Sequence, residues 1–408
     1  MSPDSGRRSP SDPLPDAPDP WAGSEMPARL DGPPWHMTAM IEAEPGLALR
    51  LLTRLADPDG PAARLAAAIR ATSQRGRPIL VTGCGTSEHG AQATVEVLRE
   101  AMRGAGLPWR LGEGGVPTAV QAFEASLEDE LGGEGALVIG VSHEGGTWAT
   151  NRALERARAS GVTVALLTVS GRSPGAALAD IVVPTLELDQ SWCHTIGYLA
   201  PLLAATAVGA HLSGQALDPE AVARLLSSGL QPTAVDATEG LAASLADVER
   251  LIVVGSGADR PAARELVLKV EEGAHLPAAM RDLETLLHGH LAGLDDRTGV
   301  VLFLTETAAR EERAARAAGV LRALVEIGCR SGAILGQVHA QGIPEALTPA
   351  GQVLVPEASG LPRVVASLLG SAVPLQLLTE RLARARGVNP DPIRRDDPAY
   401  LRAADAAG

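Results

Sequence analysis

The stretch Ile79-Leu80-Val81-Thr82-Gly83-Cys84-Gly85-Thr86-Ser87 runs from a continuous apolar segment into small and hydroxyl residues. It then enters an amphipathic segment from Ser87 to Met102. An apolar run of this length that turns through glycines into a helix is the opening of a βα unit, in which the strand is covered on both faces. The same pattern repeats outward. Strand Ala136 to Ser142 leads to a helix from about Gly146 to Ser160, and strand Val162 to Thr168 follows. Strand Ile181 to Pro184 and an apolar helix from about Thr195 to Leu212 close the series. After helical residues from Asp218 to Ala246, strand Leu251 to Gly255 leads to a helix from Arg260 to Ala274, and strand Gly299 to Leu304 to a helix from Ala308 to Ile327. Strands Ser331 to Leu335 and Val353 to Pro356 precede a helix from Pro362 to Arg386. The chain therefore reads as an internal duplication of one α/β unit of about 160 residues. Each copy is a three-layer unit, a parallel sheet flanked by helices.

The expected organisation is a disordered tail over 1–34, N-terminal helices and a first unit over 35–215, a helical linker over 216–246, a second unit over 247–392 and a C-terminal tail over 393–408. Among the N-terminal helices, Met37 to Leu52 has helical spacing interrupted by a Glu-Pro-Gly turn at 44–46. The tail assignment rests on its Pro, Asp, Ser and Gly content and on the lack of a signal-peptide apolar region.

Composition narrows the class. The 408 residues are 45% apolar but only 2% aromatic, so two cores of Ala, Leu and Val are expected. No apolar run approaches the ~20 residues of a bilayer span, so no membrane association is expected. A net charge of −14 argues against nucleic acid as a partner. Cys84, Cys193 and Cys329 are far apart and without metal-ligand spacing, which predicts a cytoplasmic protein with neither disulfide nor metal. No cofactor motif is present in this reading.

Lys269 is the only lysine. A compact ammonium does chemistry that the planar guanidinium cannot, so a lone lysine among so many arginines marks a candidate site. Glu272 follows on the same helical face, whereas Glu271 turns to the side. In the first unit, Cys84-Gly85-Thr86-Ser87 offers backbone N–H groups and hydroxyls at a helix N-terminus, the chemistry of an anion cradle. A second loop, Ser142-His143-Glu144-Gly145-Gly146-Thr147, follows the next strand.

These motifs resemble those of the sugar isomerase (SIS) domain family, in particular the two-domain isomerase half of the glucosamine-6-phosphate synthases. The likeness spans nearly everything from Trp35 to about Pro392. It implies catalytic roles for Lys269, Glu272 and His288, which stand at the family's intervals without a gap. Glu272 would be the base that moves a proton between two sugar carbons. His288 would serve ring opening, reaching the site from a neighbouring subunit of a homodimer, and Lys269 would stabilise the enediolate oxygen. Substrate-binding roles fall on Cys84, Gly85, Thr86, Ser87, Ser142, His143, Glu144, Thr147, Ser191 and His194.

The departures matter equally. Glu144 stands where the family has a hydroxyl, the Ser191-Trp192-Cys193-His194-Thr195 loop lacks the family's lysine, and His288-Gly289 is followed by His290. No lysine follows Pro392, and no cysteine of a glutaminase domain precedes Cys84. The expected activity is an aldose-ketose isomerase, or a ketosamine deglycase or deaminase, acting on a sugar, amino sugar or sugar phosphate. The alternatives are a regulatory protein that binds sugar without turnover, and an amino-transferring isomerase that needs a separate glutaminase chain.

Overall fold

The computed structural model describes residues 9–23, 25 and 27–407. The described residues form two compact units, one made of residues 9–23, 39–189 and 196–224, the other of residues 25, 27–38, 190–195 and 225–407. Along the first part run α1 (His36–Leu55), α2 (Pro61–Gln74), β1 (Ile79–Gly83), α3 (Thr86–Gly104), β2 (Pro117–Gln121), α4 (Ala122–Leu127), β3 (Leu137–Val141), α5 (Trp148–Ala159), β4 (Thr163–Thr168), β5 (Ile181–Pro184) and α6 (Ile196–Ser213). The five strands form one parallel sheet in the order β2-β1-β3-β4-β5.

The second part holds α7 (Pro219–Ser228), α8 (Pro232–Leu245), β6 (Arg250–Val254), α9 (Asp259–Ala274), β7 (Ala278–Arg281), α10 (Leu283–Leu287), β8 (Thr298–Leu304), α11 (Arg310–Ile327), β9 (Arg330–Gly336), β10 (Gly351–Val355), α12 (Arg363–Ala385) and α13 (Pro398–Ala407). Its parallel sheet has the order β10-β9-β8-β6-β7, the same topology read from the other edge. In both sheets the strand order reverses between the first and third strands, so the crevice at their carboxyl ends is the expected ligand position. The loops after β1 and β3, and those after β6 and β8, stand at these points.

The duplication extends to single residues. Gly83 ends β1, and a Cβ there would lie 2.4 Å from the Ser87 carbonyl oxygen. Gly255 follows β6, and a Cβ there would lie 3.0 Å from the Asp259 carbonyl oxygen. In each unit a glycine lets the next helix begin tightly against the strand, and Asp259 occupies in the second copy the place of Ser87 in the first.

Two expectations are corrected, and two strands are added that the sequence reading did not contain. The helix α1 continues through Pro45; Met40, Ile41, Ala43, Leu47 and Ala48 are all buried on either side of it, and that burial outweighs the proline's local penalty. The strands β2 and β7 are half-exposed and short, so they lack the continuous apolar signal that marks the other strands. The segment 9–23 was assigned to a disordered tail, yet it packs on unit 1. Leu14 is buried, its amide donates to Glu187 Oε2 at 2.9 Å, and the Leu188 amide donates to the Pro15 carbonyl at 2.8 Å. Backbone pairing supplied by distant chain is invisible to local composition. At the other end, α13 is a wholly exposed helix within the expected tail.

The core strands are dry. Every residue of β3 and β8 is buried, and the aliphatic clusters around Val138, Val164 and Leu154 and around Val300, Leu302 and Leu321 cover one face of each sheet. The helix α6 is long and apolar enough to cross a membrane, but 83% of it is buried inside the protein.

Candidate functional site

In unit 1 the turn after β1 places Gly85 at φ 57°, a conformation natural to glycine, and the chain enters α3 at Thr86. Thr86 is buried, Ser87 and Cys84 are half-buried and Gly85 is exposed. Cys84 Sγ accepts a hydrogen bond from Thr150 Oγ1 at 3.7 Å. Burial pushes the Cys84 thiol up, Glu88 adds to this, and the bond from Thr150 opposes it, so this sulfur stays protonated.

The loop after β3 is held from within. Ser142 is buried, its Oγ accepts the Gly145 amide at 3.2 Å and donates to Thr147 Oγ1 at 3.5 Å. Gly145 adopts φ 74°, and a Cβ on it would collide with Ser173 Oγ at 2.1 Å. Thr147 is the exposed N-cap of α5 without a side-chain cap bond. His143 is buried, and its Nε2 accepts the Asp189 amide at 3.1 Å. That nitrogen is engaged by backbone. Glu144 is half-buried, and its carbonyl accepts the Trp21 indole N–H at 3.0 Å.

In unit 2 the helix α9 carries the charged residues. Lys269 Nζ donates to Glu272 Oε2 at 2.6 Å and pairs with Glu265 at 3.6 Å, and the lysine and Glu265 side chains are wholly buried. The spacing of 265, 269 and 272 puts the three on one helical stripe. Burial pulls the Lys269 ammonium down, but Glu272, then Glu265 and Cys193 hold it up more strongly, and the net shift is upward. Lys269 is therefore a permanent cation at neutral pH, not a free amine. Its side chain has no exposed surface, whereas that of Glu272 is 23% exposed. Glu265 was missed by the sequence reading, although its place four residues before the lysine was a signal.

Ser191 and His194 were grouped with the first unit, but residues 190–195 belong to the second. Ser191 is buried and His194 half-buried. In that loop Cys193 Sγ donates to the Lys269 carbonyl at 3.8 Å and lies over Gly273, where a Cβ would come within 3.1 Å of it. The structure thus brings this loop to α9. His288 caps the end of α10, exposed, with Nε2 2.8 Å from Glu284. Glu284, held below the usual carboxylate range first by that bond, also pairs with Arg316. His288 is thus engaged on the surface, apart from the Lys269 ion pairs.

Unit 2 uses its own switch point differently. Asp259 is fully buried, and its carboxylate accepts the amides of Thr305 at 3.1 Å and Glu306 at 3.2 Å, the Thr305 hydroxyl, and the Ser367 hydroxyl at 3.2 Å. Burial nevertheless raises this carboxyl above its ordinary range. A cavity of about 450 Å³ opens beside it, lined by Thr307, Arg310, Ser359 and Arg363 among others.

No protein-family model matches this chain. It is 26% identical over 268 residues to the glutamine–fructose-6-phosphate aminotransferase (isomerizing) of Caulobacter vibrioides, across 63% of this chain and 43% of that protein. The chain spans about half the length of the curated relatives it matches. The C-terminal domain of the glucosamine-fructose-6-phosphate aminotransferase from Francisella tularensis superposes with a TM-score of 0.72 at 18% identity, covering 89% of this chain and 99% of that one. The tagatose-6-phosphate ketose/aldose isomerase of Escherichia coli superposes with a TM-score of 0.67 at 18% identity, covering 90% of this chain and 98% of that one. The chain is thus a homologue of the isomerizing aminotransferases, and its fold is that of two tandem SIS units.

Proposed function

We propose that this protein, built on tandem SIS units, is a sugar or amino-sugar aldose-ketose isomerase, or a ketosamine deglycase or deaminase, working in the cytoplasm as a homodimer. Both chemistries pass a proton between adjacent carbons through an enediol or enaminol. The observation that carries the reading is the buried Lys269 ammonium bonded to Glu272 at 2.6 Å, with Glu272 alone of the three charged residues partly open.

Glu272 takes the proton from one carbon and returns it to the next. Lys269 is the positioning residue: its ammonium fixes the carboxylate and offsets negative charge as the enediolate forms. Glu265 holds the ammonium from the other side. Thr86, Ser87, Ser142 and Thr147 supply hydroxyls for the ligand, and His288, exposed on the surface, serves ring opening in the partner subunit's site. The names of the relatives support the sugar class.

The test is proton exchange. Wild-type protein in D₂O with fructose 6-phosphate, glucosamine 6-phosphate or glucosamine, followed by proton NMR, is expected to lose signal at C1 or C2 of one of them. Glu272→Gln is expected to abolish that loss while the protein stays folded, with a melting temperature lowered as the buried ammonium loses one of its two carboxylates. Exchange that persists in the variant would remove Glu272 from the role of base.

A further inference from the structure

The segment 9–23 crosses the carboxyl edge of the unit 1 sheet and ends on the loop after β3. Glu187 anchors it, bound by Arg50 at 2.8 and 2.7 Å and by the Leu14 amide at 2.9 Å. Asp19 pairs with Arg172, in the loop after β4. Trp21 then reaches the loop itself. Its N–H is bonded to the Glu144 carbonyl at 3.0 Å, and its ring lies so close to Gly146 that a Cβ there would be 2.9 Å from the indole. The chain has only five tryptophans. One covers this loop, and a second, Trp148, begins α5 directly after it, 66% exposed.

Three features therefore coincide where an anion cradle would hold a phosphate. The indole of Trp21 covers Gly146, just before the N-terminus of α5. A carboxylate residue, Glu144, stands inside the loop. The cation of the neighbouring loop, Arg172, is taken by Asp19 of the segment itself, and neither 84–87 nor 142–147 contains a lysine or arginine. A dianion placed there meets the added bulk of the indole, a carboxylate residue in the loop, and an Arg172 already paired with Asp19. A hydroxyl or an amine meets hydroxyls, a carboxylate and an aromatic face, which suits a sugar.

We infer that the unit 1 loops select an unphosphorylated sugar or amino sugar, and that Trp21, delivered by the N-terminal segment, is the residue that sets this choice. The inference rests on the sugar-acting reading above and narrows its substrate class. Glucosamine and glucosamine 6-phosphate are the probes, titrated calorimetrically into full-length wild type, Trp21→Phe, Trp21→Ala and Asp19→Asn. Wild type is expected to bind glucosamine more tightly. Trp21→Ala is expected to shift the ratio of the two dissociation constants at least tenfold toward the phosphate. Trp21→Phe, which keeps the ring, should remain within about threefold of wild type. Asp19→Asn, by releasing Arg172, should shift the ratio the same way as Trp21→Ala, and more at low salt than at high salt. Tighter wild-type binding of the phosphate, or an unchanged ratio in Trp21→Ala, overturns the inference and leaves the sugar-acting reading standing. Wild type that binds neither probe overturns both.

Discussion

Lys269 shows how a single residue's chemistry depends on its company. Alone in a sequence it suggests either a free amine or a point charge; between Glu265 and Glu272 it can only be the charge. Glu265→Gln is expected to lower stability by about 1–3 kcal/mol, because a buried ammonium loses one of its two carboxylates. The pH dependence has a definite sign. The Lys269 pKa is raised on folding, so the stability it contributes is full below its unfolded value near pH ~10.4 and is lost as pH rises through the folded value. The wild-type advantage over Glu265→Gln, read from urea unfolding, should hold between about pH 7 and 9 and shrink above about pH 10. Lys269→Arg keeps the charge but forces a planar fork into a closed slot, and should lower the exchange rate at least tenfold, or about 1.4 kcal/mol of transition-state stabilisation. At the loop, Glu144→Ser should strengthen binding of fructose 6-phosphate in calorimetry, by a factor that falls as salt is added.

Among the elements, the β1 turn is the most constrained by backbone contact. The 2.4 Å approach to the Ser87 carbonyl means that Gly83→Ala must push α3 away from the strand, and nothing flexible can yield. A loss of about 2–3 kcal/mol is expected, in the range of overpacking. Gly161 has a left-handed φ of 70° but nothing within 4 Å of its would-be Cβ, so Gly161→Ala should cost only the conformational term of about 1–2 kcal/mol. Urea midpoints of the two variants distinguish them, and only Gly83→Ala should also weaken ligand binding. Equal losses with binding intact would mean that the turn is not part of a cradle. This turn was legible as strand, glycine, helix. The half-exposed strands β2 and β7 were not, since their four or five residues carry no continuous apolar run.

For the whole molecule, the prediction concerns assembly. His288 is exposed beyond α10, whereas Glu272 lies on α9. If each site of a dimer borrows His288 from its partner, Glu272→Gln and His288→Ala should each be inactive as pure proteins. A one-to-one refolded mixture should recover about a quarter of wild-type activity, because half the dimers are mixed and one site in each is complete. No recovery, with mixed dimers demonstrated by light scattering and differential tags, would place His288 in its own subunit's chemistry or outside the chemistry.

The sequence by itself determined the duplication, the parallel strands and the turns that end them, because each is written in local apolar runs and glycines a few residues apart. It also placed Lys269 and Glu272 on one helical face, since that follows from helical periodicity alone. What joined distant chain was decided only in three dimensions. Residues 190–195 lie beside α9 of the second unit because Cys193 packs on Gly273, a contact across some eighty positions of sequence. Segment 9–23 is ordered because Glu187 and Leu188 offer it hydrogen bonds, not because its own composition favours structure. Asp259 is satisfied inside the protein only because folding brings the Thr305 and Glu306 amides to it. Local patterns fix what each segment can be; burial and pairing between remote segments decide which of its groups are left open for chemistry.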